Sequence, residues 1–95
     1  MLYTLSQSPD RIDSETLLAL ITHSDVILLW QDGVTLGIKN SVLLEQLMEK
    51  KIPVFALCND IVARGLSPIY DAYVKQVDLE NVVMLTAEHF PQFAW

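Results

Sequence analysis

A single cysteine, three glycines and six basic residues in a chain of 95 leave little room for several common chemistries. One cysteine, Cys58, cannot close an internal disulfide or form a Cys-x-x-Cys metal or redox site. Gly33, Gly37 and Gly65 are too scattered to cradle a phosphate. No Gly-x-Gly-x-x-Gly or Walker-type loop occurs, so no nucleotide cofactor is expected. Lys50-Lys51 is the one basic pair, and 12 acidic residues bring the net charge to −6. Nucleic-acid binding by this chain alone is not expected, because phosphate contacts need clustered cations. No apolar run approaches the ~18–20 residues that cross a bilayer, so no membrane association is expected. The opening Met1-Leu2-Tyr3-Thr4-Leu5 reads at once as a strand, without the charged start and long apolar core of a leader. A reducing cytoplasm is the expected compartment. The two histidines, His23 and His89, fall near helix ends, and their spacing to carboxylates suggests no metal site.

What the chain does contain is apolar sequence in short, well-punctuated segments. Apolar residues make up 52% of it, enough for one core in a single domain over residues 1–95, with some apolar surface left to face a partner. Met1–Leu5 is the first strand. Asp13 or Ser14 caps a helix whose stripe is Leu17, Leu18, Leu20 and Ile21. Val26–Trp30 is a continuous apolar run, the pattern of a strand buried on both faces. Val34–Ile38 is ambiguous between loop and helical turn. Ser41 caps a second helix lined by Leu43, Leu44, Leu47 and Met48. Ile52–Leu57 is a third strand, with Pro53 near its start, where the missing N–H is tolerated. Asn59 is the expected N-cap of a short helix through Arg64, with Gly65 as its C′ residue. Tyr73–Val77 is a weak fourth strand. Asp78 caps a last helix carrying Leu79, Val82, Val83 and Thr86. Strands alternating with helices across short loops imply an α/β fold: one small open parallel sheet, three-layered and Rossmann-like, with right-handed crossovers and helices on both faces.

In such sheets, chemistry collects outside the carboxyl ends of the strands. Cys58 follows the third strand directly and stands at a helix start, where a thiolate is favoured. It is therefore a candidate sulfur carrier. Against that, Asp60 lies two residues away and disfavours a second anion. Arg64, the nearest cation in sequence, is more than a turn along the helix. A free cysteine is also often a small buried hydrophobe, so both readings of Cys58 stay open. Asp32 and Asp60 each follow a strand, and two carboxylates at one edge could hold a divalent ion. The local pattern favours an Asp-Gly turn for Asp32 and helix capping for Asp60.

The segments Val26-Ile27-Leu28-Leu29-Trp30-Gln31-Asp32-Gly33-Val34 and Pro53-Val54-Phe55-Ala56-Leu57-Cys58-Asn59-Asp60-Ile61-Val62-Ala63-Arg64-Gly65-Leu66 resemble the two signature segments of the TusB/DsrH family. Met1–Leu5 with Ser8-Pro9, and Ala94-Trp95, are similar too, so the resemblance runs along essentially the whole chain. Its strand-end residues are Gln31, Asp32, Gly33, Asn59, Asp60, Arg64 and Gly65. The resemblance implies a DsrE-like three-layer fold and a cytoplasmic sulfur-relay subunit. Such a subunit assembles with TusC-like and TusD-like sisters as a dimer of heterotrimers. The complex would pass persulfide sulfur through a TusE-like carrier toward 2-thiolation of the wobble uridine of tRNA. DsrH-like relatives serve sulfur oxidation instead. The resemblance places the reactive cysteine on the TusD-like sister, eight residues before the glycine matching Gly65. Counted back here, that position is Leu57. It thus implies a subunit that is not catalytic by itself, with no cofactor and no catalytic residue beyond the open case of Cys58. Leu36, Ile38, Phe90, Phe93 and Trp95 are then candidates for contact with the sisters, since aromatic side chains are enriched at interfaces.

Overall fold

The computed structural model of the chain describes residues 1–88 and 92–94. The strands are β1 (Leu2–Leu5), β2 (Val26–Leu29), β3 (Val54–Leu57), β4 (Lys75–Val77) and β5 (Gln92–Ala94). The α-helices are α1 (Ser14–Leu20), α2 (Val42–Glu49), α3 (Cys58–Ala63) and α4 (Leu79–Glu88). Local chemistry starts three of the four α-helices where the sequence predicts. Asp13 accepts from the Thr16 amide at 3.2 Å ahead of α1. The Ser41 hydroxyl accepts from the Leu44 amide at 3.4 Å ahead of α2. Asp78 accepts from the Asn81 amide at 2.9 Å ahead of α4. Each of these satisfies one of the amides that a helix start leaves without an intrahelical partner. Two details differ from expectation. Leu20, assigned to the core stripe of α1, is exposed because the helix stops there, and the extended Ile21 takes the core position instead. The ambiguous Val34–Ile38 lies mostly within a 3₁₀ helix spanning Gln31–Gly37.

The strands form one sheet in the order β4-β3-β2-β1-β5, and every pairing is parallel. This order explains the layering. From β1 to β4 the chain steps in one direction across the sheet, so right-handed crossovers place α1, α2 and α3 on the same face. The last crossover returns to the far side of β1 and puts α4 on the other face. Two separate cores result. Leu17, Leu44 and Ile61 from the first three helices pack on Tyr3, Leu5, Ile27, Leu29, Val54 and Ala56. On the opposite face, Leu85 packs on Leu2, Val26, Leu28 and Val77, with Phe55 and Val82 at the margin. The predicted α/β sheet with helices on both faces is the fold observed.

β5 was not expected from the sequence. It is three residues long and pairs Leu2 with Gln92, Tyr3 with Phe93 and Thr4 with Ala94. A strand this short, following Pro91, carries no readable alternation. Its existence depends on the free edge of β1. Among the described residues, no helix is long and apolar enough to cross a membrane.

Candidate functional site

The carboxyl ends of β2 and β3 bring the predicted strand-end residues together. Leaving β2, the chain turns sharply at Gln31, which adopts a left-handed φ of 51°. A non-glycine residue in that region is held there at a cost of roughly 1–3 kcal/mol. The geometry points the Gln31 amide across to α3, where it donates to Asp60 Oδ2 at 2.7 Å. Asp60 is thus not the cap of its own helix. It is the third residue of α3, and its carboxylate bridges two segments that lie 29 positions apart. Asn59 is not the N-cap either. The chain becomes helical as soon as β3 ends, so Leu57 flanks the helix without a side-chain cap and Cys58 is the first helical residue. Asn59 is left exposed.

Arg64 closes the arrangement from the end of α3. Its Nη2 lies 3.0 Å from Asp32 Oδ1. Its Nη1 lies 3.7 Å from Asp60 Oδ1 and donates to the Asp60 carbonyl at 3.4 Å. One guanidinium therefore ties the turn after β2 to the helix after β3. Asp32 is mostly exposed, so its pair with Arg64 is worth at most about 1 kcal/mol; the value of the set lies in register. Gly33 locks the same turn from below. A Cβ there would stand 1.9 Å from the Leu5 carbonyl oxygen, so only glycine lets the 3₁₀ helix approach the end of β1. Gly65 follows α3 with φ 66°, the left-handed C′ residue that the sequence predicts.

Cys58 is a free, half-buried thiol at this edge. The cation nearest to it in sequence is committed to Asp32 and Asp60. His23 precedes β2 and so belongs to the amino end of the sheet, away from Cys58. His89 lies outside the described residues. Among the described residues no three His, Cys, Asp or Glu side chains converge as metal ligands. The edge is thus built as a polar clasp holding two loops in register, with a thiol beside it.

The expected contact residues separate in the structure. Leu36 is fully buried and belongs to the core under α1–α3, so it is not a surface residue of this chain. It points inward because the 3₁₀ helix lays one side on the sheet. Ile38 is half-buried in an antiparallel bridge to Tyr70. Phe90 and Trp95 lie outside the described residues, and Phe93 enters only through its backbone in β5. Sequence reasoning overlooked Trp30. It follows β2 at the same edge and remains 38% exposed. The signal for it was present, since an aromatic just past a strand end need not continue the buried run.

Comparison with known proteins places this geometry. The family model described as "DsrH like protein" matches residues 7–92. The chain is 41% identical to Protein TusB of Escherichia coli, with both chains covered completely. It is 40% identical to Protein TusB of Serratia proteamaculans, again over the full length of both. Among solved structures, the ychN protein of Escherichia coli superposes with a TM-score of 0.78 at 16% identity, covering 99% of this chain and 97% of that one. A protein of unknown function from Methanobacterium thermoautotrophicum, MTH1491, gives a TM-score of 0.73 at 15% identity, covering 99% and 96%. The two structural matches share the fold; the family model and the full-length relatives go further, and by them this chain belongs to the TusB/DsrH family.

Proposed function

We propose that this chain is a non-catalytic subunit of a cytoplasmic sulfur-relay complex, its 95 residues acting as one domain. Family membership supports a sulfur-relay subunit in general. The finer reading is a heterohexamer with TusC-like and TusD-like sisters. That complex delivers persulfide sulfur through a TusE-like carrier toward 2-thiolation of the wobble uridine in tRNA. The observation that carries the non-catalytic part is the clasp itself. Arg64, the nearest cation in sequence that would stabilise a Cys58 thiolate, is spent on Asp32 and Asp60. In this reading the strand-end residues shape a contact surface, and the reacting thiol is supplied by a sister.

A second reading makes Cys58 a sulfur carrier in its own right. It is favoured by the thiol's half-exposed place at the first residue of α3, outside the carboxyl end of β3, where chemistry collects in such sheets. A third assigns the chain to a DsrH-like subunit in sulfur oxidation. One set of measurements separates them. Co-expression of this chain with its two sisters should yield a complex of all three. A Cys58→Ser chain should support normal 2-thiouridine levels in cells. Loss of thiolation, together with a Cys58 persulfide seen by mass spectrometry, would establish the carrier reading. Normal thiolation in cells lacking this chain, with sulfur oxidation impaired, would establish the third. A monomer with no affinity for either sister would sink the assembly reading.

A further inference from the structure

Among the described residues, Asp25 is the only charged one that is buried, at 8% exposure. It stands one residue before β2, at the amino edge of the sheet, opposite the end that carries the Arg64 clasp. The turn between α1 and β2 fixes it there. Its amide donates to the Thr22 carbonyl at 2.9 Å. Its Oδ2 accepts from the Thr22 amide at 2.8 Å and from the Thr22 hydroxyl at 3.2 Å. These bonds satisfy one carboxylate oxygen but bring no positive charge.

The other oxygen, Oδ1, lies 3.0 Å from the α-ammonium of Met1. Among the described residues this is the one cation paired with Asp25, since Arg64 serves Asp32 and Asp60. The backbone holds the ammonium in place. The Val26 amide donates to the Met1 carbonyl at 3.0 Å. The next residue, Leu2, is fully buried and in register with Val26. No long side chain has to be ordered to make this pair, so it avoids the entropy loss that weakens most surface ion pairs.

We infer that the α-nitrogen of Met1 is a modification-sensitive site: the domain reaches full stability only when that nitrogen is free and charged, and a formyl or acetyl group on it weakens the fold. Acylation turns the ammonium into a planar amide, which keeps one N–H but no charge. The buried carboxylate is then left without a counter-charge, the unfavourable case for a buried pair. From a formylated chain, the reaction class that supplies the stable form is amide hydrolysis. Water adds to the formyl carbon, the C–N bond breaks, and the proton given up by formic acid goes to the freed amine, leaving formate and the ammonium that faces Asp25. The inference is independent of the sulfur-relay reading.

The test uses the full chain made by chemical synthesis, with Met1 either free or formylated, each as wild type and as Asp25→Asn. Urea denaturation reads the stability of all four. Formylation should lower the folded-to-unfolded ratio of the wild type by about tenfold. In Asp25→Asn the same change should cost less than about twofold, because the ammonium no longer has a charged partner there. Equal stability of the two wild-type forms overturns the inference. So does an equal loss in both backgrounds, which would assign the effect to the bulk of the formyl group. Should Asp25→Asn fail to fold, carbon NMR of the Asp25 carboxyl in the two wild-type forms decides. Formylation should move its titration to higher pH, since the ammonium is among the groups that hold it low; an unchanged titration overturns the inference.

Discussion

The two faces of the sheet are built from the same strands but finished differently. Under α1–α3, the inward residues Tyr3, Leu5, Ile27, Leu29, Val54 and Ala56 are all buried, with Leu5, Ile27, Leu29 and Ala56 at 0% exposure. Under α4, Leu2, Val26 and Leu28 are buried, but Phe55 is only half covered. Leu79, Val83 and Met84 on α4 itself are more than half exposed. The difference is topological. Three crossovers in one direction supply three helices to one face, and the single return supplies one to the other. A face closed by three helices carries the stability of the domain. A face closed by one leaves apolar surface exposed, at Leu79, Val83 and Met84.

The contrast can be broken most severely from the closed side. Leu29→Ala should cost about 2–5 kcal/mol, the range for emptying a fully enclosed leucine site. Phe55→Ala, although it removes a larger side chain, should cost less than half as much, because its site is already open to solvent. Urea denaturation of the two variants checks this, and equal losses would mean that the α4 face is as closed as its opposite.

A smaller effect is expected at the clasp that joins the turn after β2 to α3. Arg64→Ala should destabilise by roughly 1 kcal/mol, the upper end for partly exposed ion pairs. The deficit should shrink in high salt, where the wild type loses the same interaction. Thermal melts of both chains across a salt series measure it. A loss that does not depend on salt would show that Arg64 acts through packing of its stem instead.

The smallest effect is expected to be a gain. Tyr70 lies in the closed layer, and its hydroxyl is buried with no hydrogen-bond partner among the described residues. Burial pushes its phenol well above the ordinary tyrosine range. A raised value means that the folded state keeps the proton longer than the unfolded state does. The stability linked to Tyr70 is therefore fully present below about pH 10, and declines above it as the unfolded chain ionises first. Tyr70→Phe should stabilise the protein by up to about 1 kcal/mol at neutral pH, by removing an unsatisfied buried group. It should also flatten the alkaline limb of the stability curve. Chemical denaturation between neutral and strongly alkaline pH reads both, and an unchanged alkaline limb would assign that limb to Tyr3 and Tyr73, which burial also raises.

Much of this was legible residue by residue. The caps at Asp13, Ser41 and Asp78 and the C′ glycine Gly65 are local signals, because a cap depends on atoms three or four positions away. The apolar run Val26–Leu29 announced a strand buried on both faces. What stayed illegible depends on residues far apart in the chain. Asp60 reads locally as a cap, and its use by the Gln31 amide becomes visible only when β2 and β3 lie side by side. Leu36 reads as an exposed apolar residue in a loop until the 3₁₀ helix rolls it inward. The short β5 exists only because β1 has an edge to offer.

By itself the sequence determined the α/β alternation and the parallel sheet. It also carried the family, through two strand-end segments. These follow from periodicity, composition and local capping, all of which are short-range properties of the chain. Only the tertiary structure decided that Arg64 belongs to Asp32 and Asp60 rather than to Cys58. It also decided that one face is closed by three helices and the other by one. Strand order and side-chain pairing bring together residues tens of positions apart, and no local pattern encodes which of them will meet.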